Sequence, residues 1–393
     1  MTARIMTASR APVRQSSVRA HNLALVLQTA ANSADRPSRA AIASRTGLTR
    51  ATVSALVDDL IAGGLLTEHD PAPRTGAGRP AAGLALNAEG PAGLGLEINV
   101  DYLAACVVSL TGEVRHRFVE QGDQRPLPAA ESLGALDALA ARAREAAVAD
   151  GLTLAGAALA VPGLVAAGAR HDRALGKGDS GDGRPGGLVR VAPNLGWQDV
   201  DVPALLPGLA DLPLTVGNEA NLAAMGELRA SASLGAEPTF LYVSGEIGIG
   251  AGIVLDGELY RGGRGWSGEI GHVTVYPDGR PCRCGANGCL EQYAGQEAVA
   301  ADAALAASAL GIALAAVVNL LDIGVIVLGG AYGPELPRLR AGIEAELGRR
   351  VLTSGLAPVT LRAATLGGDA AMRGAADAVI QSVRDDPAAW LSR

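Results

Sequence analysis

GHVTVYPDGRPCRCGANGCLEQYAG, residues 271–295, holds three of the chain's four cysteines within eight positions. Three thiols and an upstream histidine admit three readings: a DNA-reading zinc finger, a redox pair, or a closed structural metal site. The spacing His-x9-Cys-x-Cys-x4-Cys runs from His272 through Cys282 and Cys284 to Cys289 and offers one imidazole and three thiolates. That is a tetrahedral zinc set, and a closed four-ligand set is usually structural. Cys282 and Cys284 can face one ion together only on a tight knuckle, which Gly285 and Gly288 permit. No paired fingers follow, and Cys-x-Cys here lacks a thioredoxin-like context. The remaining cysteine, Cys106, falls in a core-like strand. A chance cluster of buried thiols is the bland alternative, and the spacing favours structural zinc over it.

Outward from this stretch, 393 residues are too many for one ordinary core and predict two or three domains. Nearly half of them are apolar, which is globular rather than disordered. Lys177 is the lone lysine, and the Ala, Gly and Arg bias carries no chemistry. The scattered N-terminal arginines precede no apolar core, so no signal peptide is read. The longest apolar run, GIALAAVVNLLDIGVIVLGG (311–330), is interrupted by Asn319 and Asp322 and reads as a buried helix and strand rather than a membrane span. Four cysteines make no disulfide scaffold, and the expected setting is cytoplasmic.

The net charge of −7 is unevenly spread: residues 1–80 carry ten arginines and a balance of +5, leaving −12 for the rest. Only the head is therefore suited to a polyanion. A first helix is read over about Val18–Ala30. Ser38 caps a second helix that ends at Gly47, and Thr49 caps a third, RATVSALVDDLIAGG. Val53, Leu56, Val57, Leu60 and Ile61 give that third helix one buried face. Two short helices joined by a glycine turn make a helix-turn-helix. LLTEH (65–69) and AAGLALN (81–87) then read as strands around PAPRTGAGRP, a wing. The expected DNA-facing set is Ser38 and Thr49 at the helix starts, Arg50, Thr52 and Ser54 in the recognition turn, and Arg79 at the wing tip. Helical spacing by itself is equally compatible with a bundle for protein contacts.

After Asn87 strands and helices alternate, an α/β plan with chain enough for two lobes. Strands are read in 93–110, 154–165, 213–218, 239–262 and 325–330, and helices from Ala135, after Asn218 and from about Asp369. HDRALGKGDSGDGRPGG (171–187) reads as a mobile loop.

EIGH (269–272), the His-to-Cys289 spacing and the Cys-Leu-Glu ending at Glu291 resemble the ROK family (repressors, open reading frames and kinases), in its regulator branch with an N-terminal winged helix. The resemblance implies an α/β fold: a winged helix-turn-helix, then a two-lobed actin/hexokinase-like sugar-kinase fold with a structural zinc site. The implied domains are 1–87, a first lobe of 88–215 with 371–393, and a second lobe of 216–370. It also implies that Glu269, His272 and Glu291 contact sugar hydroxyls, with Asn218 and Glu219 completing the set and Asn194 and Trp197 shaping the wall. His272 would then serve metal and sugar through its two ring nitrogens, and a metal-bound imidazole is fixed in tautomer and orientation. Each of these residues, taken alone, reads as an ordinary polar group.

Against the family's kinases, Glu97-Ile-Asn-Val-Asp-Tyr replaces the Asp-x-Gly-Gly-Thr-like phosphate turn, and Glu219 stands where a catalytic Asp follows the Asn. No catalytic residue is therefore assigned and no enzyme activity expected. SGEIGIGAGIVL reads as a tight turn. The expected function is a sugar-responsive regulator, a repressor of carbohydrate genes acting on operator DNA as a homodimer or homotetramer, without a membrane partner. Asn-Glu-Ala-Asn resembles the xylose-repressor branch, so a pentose is the leading effector. Some relatives answer instead to a phosphotransferase-system protein, a route the sequence leaves open. The rivals are an ATP-dependent, glucokinase-like sugar kinase with a DNA-binding head, and a zinc-stapled oligomerisation module.

Overall fold

The computed structural model describes residues 15–33, 35–69, 82–166, 187–232, 235, 237–245 and 247–393. The wing residue Arg79 and all but the last residue of the expected loop 171–187 lie outside them. The chain divides into two compact units: residues up to Gly90 together with Ser382–Arg393, and Pro91–Gln381.

The first unit opens with α1 (Gln15–Ala31), α2 (Arg39–Thr46) and α3 (Arg50–Ala62). Local chemistry sets their ends. Ser38 Oγ accepts from Ala41 N–H at 3.2 Å, and Gly47 closes α2 at φ +75°, where a side chain would be strained. Thr49 Oγ1 accepts from Thr52 N–H at 3.1 Å to start α3. Strands β1 (Leu66–His69) and β2 (Gly83–Leu86) follow as an antiparallel pair. Leu23, Val26, Leu27, Ile42, Val53, Leu56, Leu60 and Leu84 form the buried interior.

The second unit contains two five-stranded sheets of the same plan. In the first, β3 (Pro91–Ile98), β4 (Tyr102–Ser109) and β5 (Val114–Gln121) form an antiparallel meander. Helix α4 (Ala129–Ala149) follows, and β6 (Thr153–Val161) pairs parallel to β3. A small antiparallel sheet of β7 (Leu164–Val165), β8 (Leu188–Ala192) and β9 (Trp197–Asp201) intervenes before β10 (Leu214–Asn218) joins β6 in parallel. Helix α5 (Glu219–Ala232) then leads to the second sheet. There β11 (Phe240–Gly245), β12 (Ile249–Leu255) and β13 (Glu258–Tyr260) form the meander. Helices α6 (Glu291–Ala294), α7 (Gln296–Ala301) and α8 (Ala303–Leu321) precede β14 (Val325–Gly330), and α9 (Tyr332–Arg350) precedes β15 (Thr360–Ala363). Both late strands run parallel. The chain ends in α10 (Ala370–Asp385) and α11 (Pro387–Leu391).

The alternating GLGL of β3 shows how sequence becomes packing. Leu94 and Leu96 enter one core with Leu133, Leu136 and Leu139 of α4. Gly93 and Gly95 face α10 instead, so closely that a methyl on either would strike its backbone carbonyls. Cys106, on the neighbouring strand, is buried beside Met372 of the same helix, and burial pushes its thiol pKa up. Helices α5 and α10 also meet through small residues: a Cβ on Gly374 would fall on the Leu222 carbonyl. Beside that crossing, fully buried Glu227 of α5 accepts from Arg362 Nη1 at 2.5 Å and from the N–H and hydroxyl of Thr365 at 2.8 and 3.0 Å. In the second core, α8 and α9 cover the other sheet. Among the described residues α8 alone is long and apolar enough to cross a bilayer, and half of its most apolar window is buried inside this unit.

Several expectations change. Residues 239–262 form three strands rather than a pair. Helix α4 begins six residues before Ala135, and β5, β8, β9, α9 and β15 went unread. Edge strand β5, VRHRFVEQ, carries charges on a partly exposed surface, and α9 holds Pro334 and Pro337, so neither shows a clean apolar period. Residues 382–393 were expected with the first lobe but belong to the first unit. There Trp390 Nε1 donates to Gly63 O at 2.9 Å.

Two outcomes follow from this packing. Gly374→Ala is expected to destabilise the second unit by about 2 kcal/mol, read by urea denaturation, because a carbonyl blocks the methyl. Glu346 accepts from Arg350 Nε at 2.7 Å, Ser308 Oγ at 2.8 Å and Arg349 Nη2 at 2.5 Å. The Arg350 bond foremost, then Ser308 and Arg349, hold its pKa down at about 2, against an ordinary 4.5. A lowered folded pKa stabilises fully above the unfolded value and is lost as pH falls through the folded one. Glu346→Gln should therefore be less stable than the parent at pH 7, and urea midpoints should converge between pH 4.5 and 2.

Candidate functional site

The GHVTVYPDGRPCRCGANGCLEQYAG stretch folds back on itself. Thr274 bridges to Cys289 and Pro281 to Asn287. Cys282 N–H donates to Ala286 O at 2.8 Å and Gly285 N–H to Cys282 O at 3.0 Å, closing a tight turn. Gly285 sits at φ +93°, the conformation the turn demands. This knuckle points both Cys282 and Cys284 inward. Cys282 Sγ lies 3.9 Å from His272 Nδ1, and Cys284 Sγ lies 3.7 Å from Cys289 Sγ. All four donor atoms fall within 4.8 Å of one another. Metal–sulfur bonds of about 2.3 Å at tetrahedral angles place sulfurs about 3.8 Å apart, so the donor set fits such an ion. Burial, then the neighbouring thiols, push Cys289 up to about 12. Exposed Cys284 is held below the ordinary thiol range, chiefly by a backbone hydrogen bond with Ala286. The four residues could hold a metal ion.

Nδ1 of His272 faces the thiols, which leaves Nε2 for the adjoining cleft. That cleft encloses about 640 Å³ and is lined by Asn194, Asn218, Glu219, Glu269, His272 and Glu291. The structure thus brings the six sequence-derived polar residues to one place, from five different segments. Asn194 lies in the turn between β8 and β9, and Asn218 ends β10. Glu219 starts α5, Glu291 starts α6, and Glu269 precedes a single 3-10 turn that His272 ends. Asn218 is locked: its Nδ2 donates to Gly163 O at 3.1 Å and its Oδ1 accepts from Asn221 N–H at 3.1 Å. Glu269 stays reachable by water at the mouth of the cleft, yet protein crowds it. Loss of solvent raises its pKa; Glu291 adds to the rise and His272 opposes it. Trp197 does not join this wall; it is 4 % exposed and packs in the first core.

A smaller cavity of about 270 Å³ borders the same Glu219, with Glu97, Asn99, Tyr102, Tyr242 and Gly330. Buried Glu97 accepts from Tyr102 OH at 2.6 Å and from Met372 N–H at 3.1 Å. The turn expected to differ from a phosphate loop is therefore filled by a carboxylate and a phenol. Within GEIGIG, Gly245 ends β11 and pairs with Ile249 at the start of antiparallel β12; Glu246 lies outside the described residues.

In the first unit, Thr49 and Arg50 are exposed at the start of α3, with Thr52 and Ser54 half-buried. Thr49 and Thr52 hydroxyls lie 2.8 Å apart, and Ser38 is engaged in capping α2. Arg39, which charge alone would add to a DNA-facing set, is tied to Asp58 at 2.6 Å and Glu68 at 3.1 Å.

A profile of the ROK family matches residues 93–306, more than half of the chain. The chain belongs to the ROK family. The xylose repressor of Caldicellulosiruptor bescii is 32 % identical over 265 residues, which cover 67 % of this chain and 61 % of that protein. The chain spans about three-fifths of the length of the xylose repressors it matches. Among solved structures, a ROK transcriptional regulator described as a homologue of Escherichia coli Mlc superposes with a TM-score of 0.74 at 22 % identity, over 96 % of this chain and all of that one. The ROK hexokinase of Thermus thermophilus gives a TM-score of 0.58 at 30 % identity, over 75 % of this chain and 99 % of that one. The ROK fold is thus shared by a regulator and a kinase, and function must be argued from the site.

Reading missed Arg283 and Cys284 as cleft-lining residues. The Cys-x-Cys knuckle was the signal: a turn that aims two thiols at one centre turns the intervening arginine outward.

Metal analysis of the purified protein is expected to find one divalent ion per chain. Cys289→Ser should lose it and melt several degrees lower.

Proposed function

We propose that this chain is a sugar-responsive transcriptional regulator, a repressor of carbohydrate uptake or catabolic genes that releases operator DNA when sugar occupies the cleft. One observation carries the reading: six polar residues suited to a polyol converge on one cleft, while the adjoining phosphate region is filled by Glu97 and Tyr102. Carboxylates accept hydroxyl hydrogens, and Glu269, Glu219 and Glu291 supply them from three sides. Asn218, its carboxamide held by Gly163 and Asn221, presents a fixed edge. A triphosphate would meet two carboxylates, Glu97 and Glu219, and no cationic cradle there. That disfavours ATP use, so no catalytic role is assigned.

The first unit supports the DNA-binding half. Its three helices and antiparallel strand pair are the parts of a winged helix-turn-helix, with α3 as the recognition helix. In this reading Arg50 and Thr49 meet the major groove, with Thr52 and Ser54 beside them, and Arg79 serves the minor groove. Operators are bound as a homodimer or homotetramer, since one head reads only a half-site. The ion is structural zinc, held by His272, Cys282, Cys284 and Cys289. It fixes the imidazole whose other nitrogen faces the sugar. The setting is cytoplasmic, and the relatives named for xylose make a pentose the leading effector. Sugar lowers operator affinity only as far as it binds the released state better than the DNA-bound one.

An operator gel shift over a panel of pentoses and hexoses tests this. One sugar should abolish the shift, Glu269→Gln should blunt that response, and Arg50→Ala should weaken operator binding roughly 5- to 100-fold without sugar. Shifts retained under every sugar would overturn induction by sugar, and ATP-dependent sugar turnover would return the chain to the kinases.

A further inference from the structure

We propose that the effector is a two-ring saccharide or glycoside, its second ring seated in a cleft that adjoins the first. The proposal rests on the reading of the first cleft as a sugar site and extends it. The second cleft is an open one, lined by residues 163–166, residues of β10 and α5, and Trp266. It shares Gly163, Asn218 and Glu269 with the first, so a ligand passing these three residues touches both.

Its lining suits a pyranose or a flat aglycone. Trp266, 37 % exposed, borders it. The indole Nε1–H donates to Val165 O at 3.2 Å, which uses the polar edge and fixes the ring. What remains for a ligand is an apolar face, matching the C–H face of a sugar. Leu164, Val165 and Leu259 continue the apolar wall. Opposite in chemistry is Asn221, only 8 % exposed, whose buried Oδ1 has no hydrogen-bond partner among the described residues. A buried amide oxygen left unpaired is costly, and a ligand hydroxyl donating to it would remove that cost. Apolar face and single buried acceptor together describe a ring with hydroxyls on its edge. Glu269 at the junction accepts hydroxyl hydrogens, and Arg261, which borders the same cleft, offers N–H donors to ring oxygens.

Calorimetry on the full chain would compare xylose and glucose with xylobiose, cellobiose, maltose and their p-nitrophenyl glycosides. At least one two-ring ligand is expected to bind about tenfold tighter than its monosaccharide, the gain of one aromatic contact. Trp266→Ala and, independently, Asn221→Leu should each remove most of that gain. Both should keep the parent's monosaccharide affinity within about twofold, which also reports that the variants are folded. If monosaccharides bind and a second ring adds nothing, the second subsite is wrong and the first-cleft reading stands. If the gain survives both variants, the second ring lies elsewhere and the proposal falls. If no ligand of either size binds, the sugar reading itself fails and takes this one with it.

Discussion

Helices α5 and α10 touch backbone to backbone, and the second unit is arranged around that contact. Gly226 and Gly374 stand where any side chain would collide. Each helix then presses on a sheet through further small residues, α10 on Gly93 and Gly95 and α5 on Gly252. Glu227 makes the junction directional, because its buried charge is satisfied only when Arg362, Thr365 and Leu366 converge on it. The first turn of α5 delivers Glu219, Asn221 and Leu222 to the clefts. Cleft geometry therefore depends on how closely two backbones can approach.

His272 is the second fixed point. One face of its ring meets three thiols, and the residue also lines the cleft. An ion held by the thiols and this imidazole would fix the ring's orientation and so preorganise the cleft on that side. The carboxylates around it are less tightly defined. Glu269 feels burial and Glu291 on one hand and His272 on the other, and burial dominates.

The contrast with kinases of the same fold is local. Glu97, held by Tyr102, and Glu219, which follows Asn218, border one small cavity, and these are the two positions at which the sequence departs from the pattern expected of the family's kinases.

Much of this could be read from the chain because the governing interactions are local. Ser38, Gly47 and Thr49 mark helix ends through bonds no more than four residues long. The His-x9-Cys-x-Cys-x4-Cys spacing announces its donor set because a metal demands particular atoms. The plan of alternating strands and helices follows from apolar periods. Other features had no local signal. Trp197 and Trp266 each follow a glycine directly, yet one is core and the other borders a cleft. The buried acceptor of Asn221 and the packing of Trp390 against Gly63 depend on partners far away in sequence. Sequence by itself determined the caps of α2 and α3, the His/Cys donor set and the α/β alternation, which are matters of neighbouring atoms. Tertiary structure alone decided which polar and aromatic groups share a cleft, because burial is set by segments brought together across the chain.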